Sequence, residues 1–411
     1  MSSTGSECGV LGLVRKLRVV VLTAHSPYPT ISGGRRREYE LIRRLGSMVD
    51  IHLVAVSKTY ADDRLHAEHL AACCASVTIL PAEDASAVAA ETAYGGPGCV
   101  AMDRHRQRDA QGVIADLRPD LVHVEGFYLL QHVPPGIPTL LIEHNVEYEL
   151  LRQIGDVDGA ARTFAAECEA WSKASLVAAV TRDDSKAIQQ TTGSWVPVSF
   201  NGMETTGCSD ALLAAAPQML FPANFGYWPN VDAATWLLRE VMPPVWERRP
   251  DCKLALVGNQ AELLSEHASD SVTVVGRVPS LSRYYATAWA VVCPLRVGGG
   301  IKQKVLEALG HGRPVVGTTI ACQGLEWGVS TGAILRADDA IGLAAQIVRV
   351  LYDDQLRRRM REQARDLARQ LPTWDASAMR VYKLYRWVVP RPALGSSPGL
   401  RSNLLGCPSA S

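Results

Sequence analysis

The chain has 411 residues, 47% hydrophobic and 20% charged, with 42 lysines and arginines balanced by 42 aspartates and glutamates. This length exceeds what one hydrophobic core normally serves, so two domains are expected. A formal net charge of zero excludes a global electrostatic pull toward nucleic acid or an anionic membrane, so no nucleic-acid partner is expected.

From the start of the chain, residues 1–16 read as a disordered tail, since the short apolar piece precedes Arg15 and Lys16 where a secretion signal would follow its basic residues. "RVVVLT" (18–23) reads as a buried strand, and "GGRRREYELIRRLGSM" (33–48) as a helix with Tyr39, Leu41, Ile42 and Leu45 turned inward. Further strands are expected at 51–57, 77–80, 121–126, 139–144 and 176–181, with helices near 62–73, 103–117, 160–173 and 183–192. The Pro-, Gly- and Asn-containing stretch 196–210 breaks the pattern, which then restarts with strands at 219–224, 252–259, 272–278, 290–295, 314–319 and 333–336. Helices at 338–352, 354–371 and 374–388 follow, and 389–411 reads as a disordered tail rich in Pro, Gly and Ser.

Continuous apolar strands alternating with helices imply parallel sheets covered on both faces. The expected fold class is α/β with two doubly wound Rossmann-like domains, 17–205 and 215–372, facing a central cleft, and a terminal helix 373–388 able to cross back to the first domain. Ligands of such sheets bind beyond the carboxyl ends of the strands. The ten cysteines show no CxxC and no zinc-spaced array, so they read as reduced thiols in a cytoplasmic protein, with Cys252 and Cys293 as core fillers and no metal site. No run approaches a membrane-spanning helix.

The most specific string is "PLRVGGGIKQKVLEALGHGRPVV" (294–316). Gly298, Gly299 and Gly300 join a strand to a helix expected over 301–312, where bare backbone N–H groups and the helix dipole favour an anion. Lys302 and Lys304 fall in the first turn, against the dipole, a mismatch that a bound diphosphate would resolve. Glu307 follows on the same side and can accept from both hydroxyls of a ribose. The plain alternative is a flexible loop before a helix with solvated charges.

This string resembles the donor-site loop of the GT-B glycosyltransferases, family four of the retaining enzymes, in a GGG-loop branch, and about residues 17–387 follow that family's order of motifs. The resemblance implies that Glu307 binds the ribose and that the Gly298–Gly300 loop with Lys302 or Lys304 holds the diphosphate of a nucleotide sugar. Two departures stand out. Many members carry a second glutamate where this chain has Gly299, and many carry an Arg and a Lys at the start of the second domain, where "LFPANFGYWPNVDAATWLL" (220–238) supplies neither.

Other motifs take their roles from the same likeness. In "SPYPTISGGRRREYELIRRL" (26–45), Gly33 and Gly34 open a helix after the first strand and are expected to face the donor diphosphate and the acceptor. At least two of Arg35, Arg36 and Arg37 read as a solvated basic face. His144 and Asn145 end a strand. They read either as a capping pair, with Asn145 the helix N-cap, or, with His144, as groups near the transferred sugar or an acceptor hydroxyl. Glu125 and Gly126 are expected to line the cleft on the acceptor side, while Glu147 and Glu149 look like helix-surface residues. Arg277 and Val278 are carried over as contacts to the base, against the alternative of a surface charge. The turn "FNGMET" (200–205) is given no chemistry. Asp156-Val-Asp158 reads as a turn, Trp228, Trp236 and Trp246 as packing, and 356–370 as a solvated Arg-rich helix face.

The expected activity is therefore retaining transfer of a sugar from a nucleoside diphosphate, with a UDP-sugar favoured over a GDP-sugar, to the hydroxyl of a small-molecule, glycan or lipid acceptor. No cofactor and no metal are expected. Alanine- and arginine-rich usage with little lysine fits a GC-rich bacterium, where such enzymes decorate natural products, including antibiotics, or build cell-envelope glycans. Peripheral membrane contact stays open. The alternatives from other classes are a nucleotide-sugar epimerase on the same fold and a non-catalytic nucleotide-sugar binder.

Overall fold

The computed structural model describes residues 15–82, 104–204 and 213–389, so both expected tails, apart from 15–16 and 389, lie outside the described residues. Among the described residues, twelve strands form two six-stranded sheets. The first contains β1 (Arg18–Thr23), β2 (Asp50–Ser57), β3 (Ser76–Pro81), β4 (Leu121–Glu125), β5 (Thr139–Glu143) and β6 (Leu176–Ala179), in the order β3-β2-β1-β4-β5-β6. The second contains β7 (Gln218–Pro222), β8 (Lys253–Val257), β9 (Val272–Val275), β10 (Ala290–Cys293), β11 (Val315–Gly317) and β12 (Ile334–Arg336), in the order β9-β8-β7-β10-β11-β12. All these pairings are parallel. The two sheets share one topology, and the strand order reverses between β1 and β4 and again between β7 and β10. A doubly wound sheet binds ligands at those points.

The β-branched runs explain the sheets. Alternate residues of β1 enter different cores, Val20 and Leu22 on one face and Val19 and Val21 on the other. Both faces of the strand are therefore apolar, as a parallel sheet requires. The core on the Val19 and Val21 side also takes Ala378, Val381, Leu384 and Tyr385 of the last helix, Trp374–Val388. That helix thus packs on the first sheet beside the Gly33–Leu45 helix, where Arg44 also pairs with Asp375 at 2.7 Å. The crossing point is tight: a Cβ on Gly202 would lie 2.4 Å from the Trp374 backbone.

Several expectations need correction. The helix expected at 62–73 is broken into three short turns, Tyr60–Asp63, a 3-10 turn Arg64–His66, and Glu68–Ala71. The carboxylate of Asp63, which ends the first of them, is drawn inward by the Ser26 N–H, the Ser57 hydroxyl and Arg35. Asp156 is not a plain turn residue; it caps the Val157–Lys173 helix by accepting from the Gly159 N–H at 2.8 Å. The 356–370 segment is not solvated throughout. Arg357 lies over the Trp289 ring at 4.1 Å, and Arg361 is buried.

Candidate active site between the two sheets

The carboxyl ends of the two sheets enclose a cavity of about 300 Å³. From the first half of the chain it is lined by Gly33, Gly34 and Arg37 beyond β1, by His144, Asn145 and Glu147 beyond β5, and by Val180 and Asn201. The second half contributes Tyr227, Gly299, Gly300, Ile301 and Gln303. The two glycine loops, 266 residues apart when counted from Gly33 to Gly299, therefore meet in one place.

Close backbone approach explains the glycines. Gly300 has φ +61°, and a Cβ there would lie 2.3 Å from the His144 carbonyl oxygen. A Cβ on Gly299 would lie 2.7 Å from Cβ of Asn145. Side-chain amides complete the seam. Gln153 accepts from the Gly298 N–H at 3.1 Å and donates to its carbonyl at 3.3 Å. Asn201 donates to Gln303 Oε1 at 3.0 Å.

The lysines are braced. Lys302 is the N-cap of the Gln303–Gly310 helix, which begins two residues later than expected. Its ammonium donates to the carbonyls of Gly299 at 2.9 Å and Gly300 at 2.8 Å and to Gln323 at 3.3 Å. It therefore staples the glycine loop, and burial lowers its pKa to about 8. Lys304 donates to Asn230 at 2.7 Å and sits 4.7 Å above the Phe221 ring. Glu307, one turn beyond Gln303, accepts from Tyr285 at 3.0 Å and faces Arg36 of the first domain at 3.2 Å. Burial raises its pKa, while Arg36 and Tyr285 pull the other way.

The arginines overturn the solvated-face expectation. Arg35 pairs with Asp63 at 2.7 Å, and Arg37, 1% exposed, donates to Asn201 at 2.7 Å and Ser199 at 2.8 Å. Arg36 is turned toward the second domain. All three have tertiary partners.

Glu125 is 2% exposed and does not reach the cavity lining; Gly126 behind it is buried with φ +100°. The Glu125 carboxylate lies between two imidazoles, His144 Nε2 at 2.5 Å and His123 Nε2 at 3.0 Å, and His123 Nδ1 meets the Tyr385 hydroxyl at 2.7 Å. Burial alone would raise the Glu125 pKa, but His123 and His144 hold it well below the usual carboxylate range. Burial also works against the His144 imidazolium, yet Glu125 holds that pKa above the usual value. With Nε2 engaged, Nδ1 of His144 is directed toward Gly34 at the cavity wall.

Asn145 does not cap the following helix. The N-cap is Val146, and the first N–H groups of the Glu147–Gln153 helix, those of Glu147 and Tyr148, are taken by the Glu167 carboxylate at 2.7 and 3.2 Å. Glu147 is half-buried and lines the cavity instead of the outer surface, and burial raises its pKa to about 7. Burial likewise raises Glu167 to about 8. Glu149 is exposed as expected. Arg277, exposed, and Val278 follow the edge strand β9 and lie outside this lining.

Sequence reasoning passed over Arg36, Arg37, Gln153, Asn201, Tyr227 and Gln303. Asn201 of "FNGMET" and Gln303, between the two lysines, lie inside strings that the sequence marks out for other residues. Nothing local distinguished Gln153 or Tyr227.

Comparison with known proteins agrees with this architecture. Residues 216–353 match the family model described as glycosyl transferases group 1. A curated relative, an uncharacterized 44.6 kDa protein in cps region of Klebsiella pneumoniae, is 27% identical over 141 residues, 32% of this chain and 36% of that protein. Among solved structures, the Anabaena protein HepE in complex with UDP and glucose superposes with a TM-score of 0.67 at 14% identity, covering 90% of this chain and 99% of that one. Sucrose-phosphate synthase from Thermosynechococcus elongatus gives 0.66 at 17% identity, covering 91% and 99%. A putative UDP-N-acetylglucosamine 2-epimerase from Listeria monocytogenes gives 0.60 at 13% identity, covering 92% and 98%. The fold is GT-B, two Rossmann-like units about a cleft.

Proposed function

We propose that the protein is a glycosyltransferase that moves a sugar from a nucleoside diphosphate, a UDP-sugar in the first instance, to an acceptor hydroxyl. The observation that carries this reading is the convergence of two glycine loops, Gly33-Gly34 and Gly299-Gly300, on one cavity, with Glu307 one turn beyond it. The match of 216–353 to the glycosyl transferases group 1 family supports it, as do neighbours of the same fold with UDP and glucose bound.

In this reading the N-termini of the Gly33–Leu45 and Gln303–Gly310 helices direct N–H groups and partial positive charge at the diphosphate. Glu307 accepts from the ribose hydroxyls, and Arg277 and Val278 border the base. Lys302 acts through the loop it staples, and Lys304 adds positive potential from the side. His144 presents Nδ1 to the sugar or the acceptor hydroxyl, with Glu125 as the positioning residue that fixes its tautomer. Asn145 packs the glycine loop against the acceptor side.

The resemblance to retaining enzymes leads us to favour front-face transfer. The bond from the anomeric carbon to the diphosphate oxygen breaks, the acceptor oxygen bonds to the same face of that carbon, and the departing diphosphate takes the acceptor proton. Glu147, the carboxylate of the lining, is held partly protonated at neutral pH and is a poor nucleophile for a two-step route. Stabilisation of the leaving group and positioning then supply the rate, without a divalent cation.

The test is release of UDP from a UDP-sugar with and without an acceptor panel of glycans and small-molecule alcohols, in the presence of EDTA. Acceptor-dependent release is expected. Conversion of the donor sugar to an epimer with no acceptor present would instead identify an epimerase, the activity for which the Listeria neighbour is named.

A further inference from the structure

Arg36 and Glu307 form an ion pair that has no part in the transfer reaction proposed above. Gly33 and Arg36 lie one turn apart on one helix face, and Gln303 and Glu307 one turn apart on another. The two faces oppose each other across the cleft: a Cβ on Gly33 would lie 3.2 Å from Cβ of Gln303, and Arg36 Nε is 3.2 Å from Glu307 Oε1. The guanidinium is held by charge, with Glu204 also 3.8 Å away, but its buried Nε makes no hydrogen bond. A cation held this way can change partner without breaking a directional bond at that atom.

The chain has reason to need it. The loop and helix after β7, within 220–238, contain no Arg or Lys. Lys302 is tied to loop carbonyls, and Lys304 to Asn230 and Phe221. The group Arg36 faces is the carboxylate that a donor's ribose would take.

We propose that Arg36 is a donor-gated cation: it neutralises Glu307 before the donor arrives and passes to the diphosphate when the ribose hydroxyls claim that carboxylate. The inference rests on the nucleotide-sugar reading above. It assigns a diphosphate ligand from the opposite domain, so the donor is held from both sides of the cleft. The same exchange makes Glu307 harder to reach for a nucleoside with no phosphate to attract the arginine.

The experiment is a double-mutant cycle read by calorimetric titration of UDP, with GDP as a second probe, on the full chain: wild type, Arg36→Met, Glu307→Gln and both together. Arg36→Met is expected to weaken UDP about tenfold in the wild type and by at least as much in the Glu307→Gln background, where no masking is left to relieve. A smaller loss in the Glu307→Gln background would mean that Arg36 acts only through Glu307, and no loss in either would mean that it never reaches the diphosphate; both overturn the proposal. Should wild type bind neither UDP nor GDP, the nucleotide reading itself fails and the handover goes with it. Thermal melts verify folding. If Arg36→Met does not fold, Arg36→Lys, which keeps the charge and loses the fork, is expected to show the same pattern with a smaller loss.

Discussion

Across the cavity, the wall beyond β10 presents backbone. Gly299 and Gly300 face the first domain, Lys302 is spent on holding their carbonyls, and the helix behind them starts with no acidic residue in its first turn. The wall beyond β4 and β5 presents ionisable side chains, with His144 backed by Glu125, His123 and Tyr385, and Glu147 backed by Glu167. A backbone wall suits an invariant anion such as a diphosphate, because N–H groups carry no pKa and need no tuning. A wall of coupled acids and imidazoles suits the variable, proton-bearing partner, the sugar or the acceptor hydroxyl. On the proposed function, the donor side is thus built by shape and the transfer side by electrostatics.

The largest effect should come from breaking the backbone wall. Gly300→Val places side-chain atoms against the His144 carbonyl at a left-handed backbone position. Turnover is expected to fall roughly a hundredfold or more, since a displacement of about 1 Å at a reacting centre can cost that much. Steady-state kinetics with the preferred donor check this, and near-normal turnover would separate the seam from the chemistry.

Next is the electrostatic wall. Glu125→Gln removes the charge that holds the His144 pKa above its ordinary value. Turnover is expected to drop about tenfold or more. If neutral His144 is the working form, the acid limb of kcat/KM should also move to lower pH, because the imidazole then stays neutral further into acid. A drop with an unmoved acid limb would assign Glu125 to packing alone.

A smaller effect should appear in stability. The raised pKa values of Glu147, about 7, and Glu167, about 8, mean that the folded protein keeps protons that the unfolded chain has lost. An acid shifted upward favours folding at low pH, and that advantage fades as pH rises from about 4.5, the ordinary Glu value, through the folded pKa. Denaturant melts should show stability falling between about pH 4.5 and 8 by no more than about 1.4 kcal/mol per pH unit for each such group. Glu167→Gln should flatten that slope; an unchanged slope would place the titration elsewhere. Smallest is Tyr385→Phe, which removes one hydrogen bond to His123 and is expected to cost about 0.5–1.5 kcal/mol in the same melts, with turnover nearly unchanged.

Much of the fold was legible in the sequence. The inner strands announce themselves as apolar runs, because both faces of a parallel sheet are buried there and no alternation disguises them, while the edge strands β3, β9 and β12 are only partly buried. The glycine loop at the cavity was legible because its signal is local, with glycines, lysines and one glutamate inside fourteen residues. The opposite wall was not. Arg37 reads as one of a solvated trio until Asn201, 164 residues away, takes its charge-assisted bond. Arg36 depends on Glu307, and Glu125 on two imidazoles, one of them 19 residues along the chain. Local pattern finds what one segment does alone; it does not find a side chain whose partner lies on another loop. Lys302 shows the converse, since a lysine beside glycines reads as a phosphate ligand until its ammonium is seen bonded to the loop it supports.

The central claim is that the cavity between the two glycine loops is a nucleoside diphosphate site anchored by Glu307. Calorimetric titration of UDP, GDP and dTDP into wild type and Glu307→Ala tests it most directly. The account predicts that one diphosphate, UDP first, binds wild type and that the variant loses about tenfold or more, as removal of a carboxylate paired to ribose hydroxyls should cost. Equal binding by a well-folded Glu307→Ala, or no binding by wild type, would contradict it and leave the GT-B architecture without the donor site assigned to it.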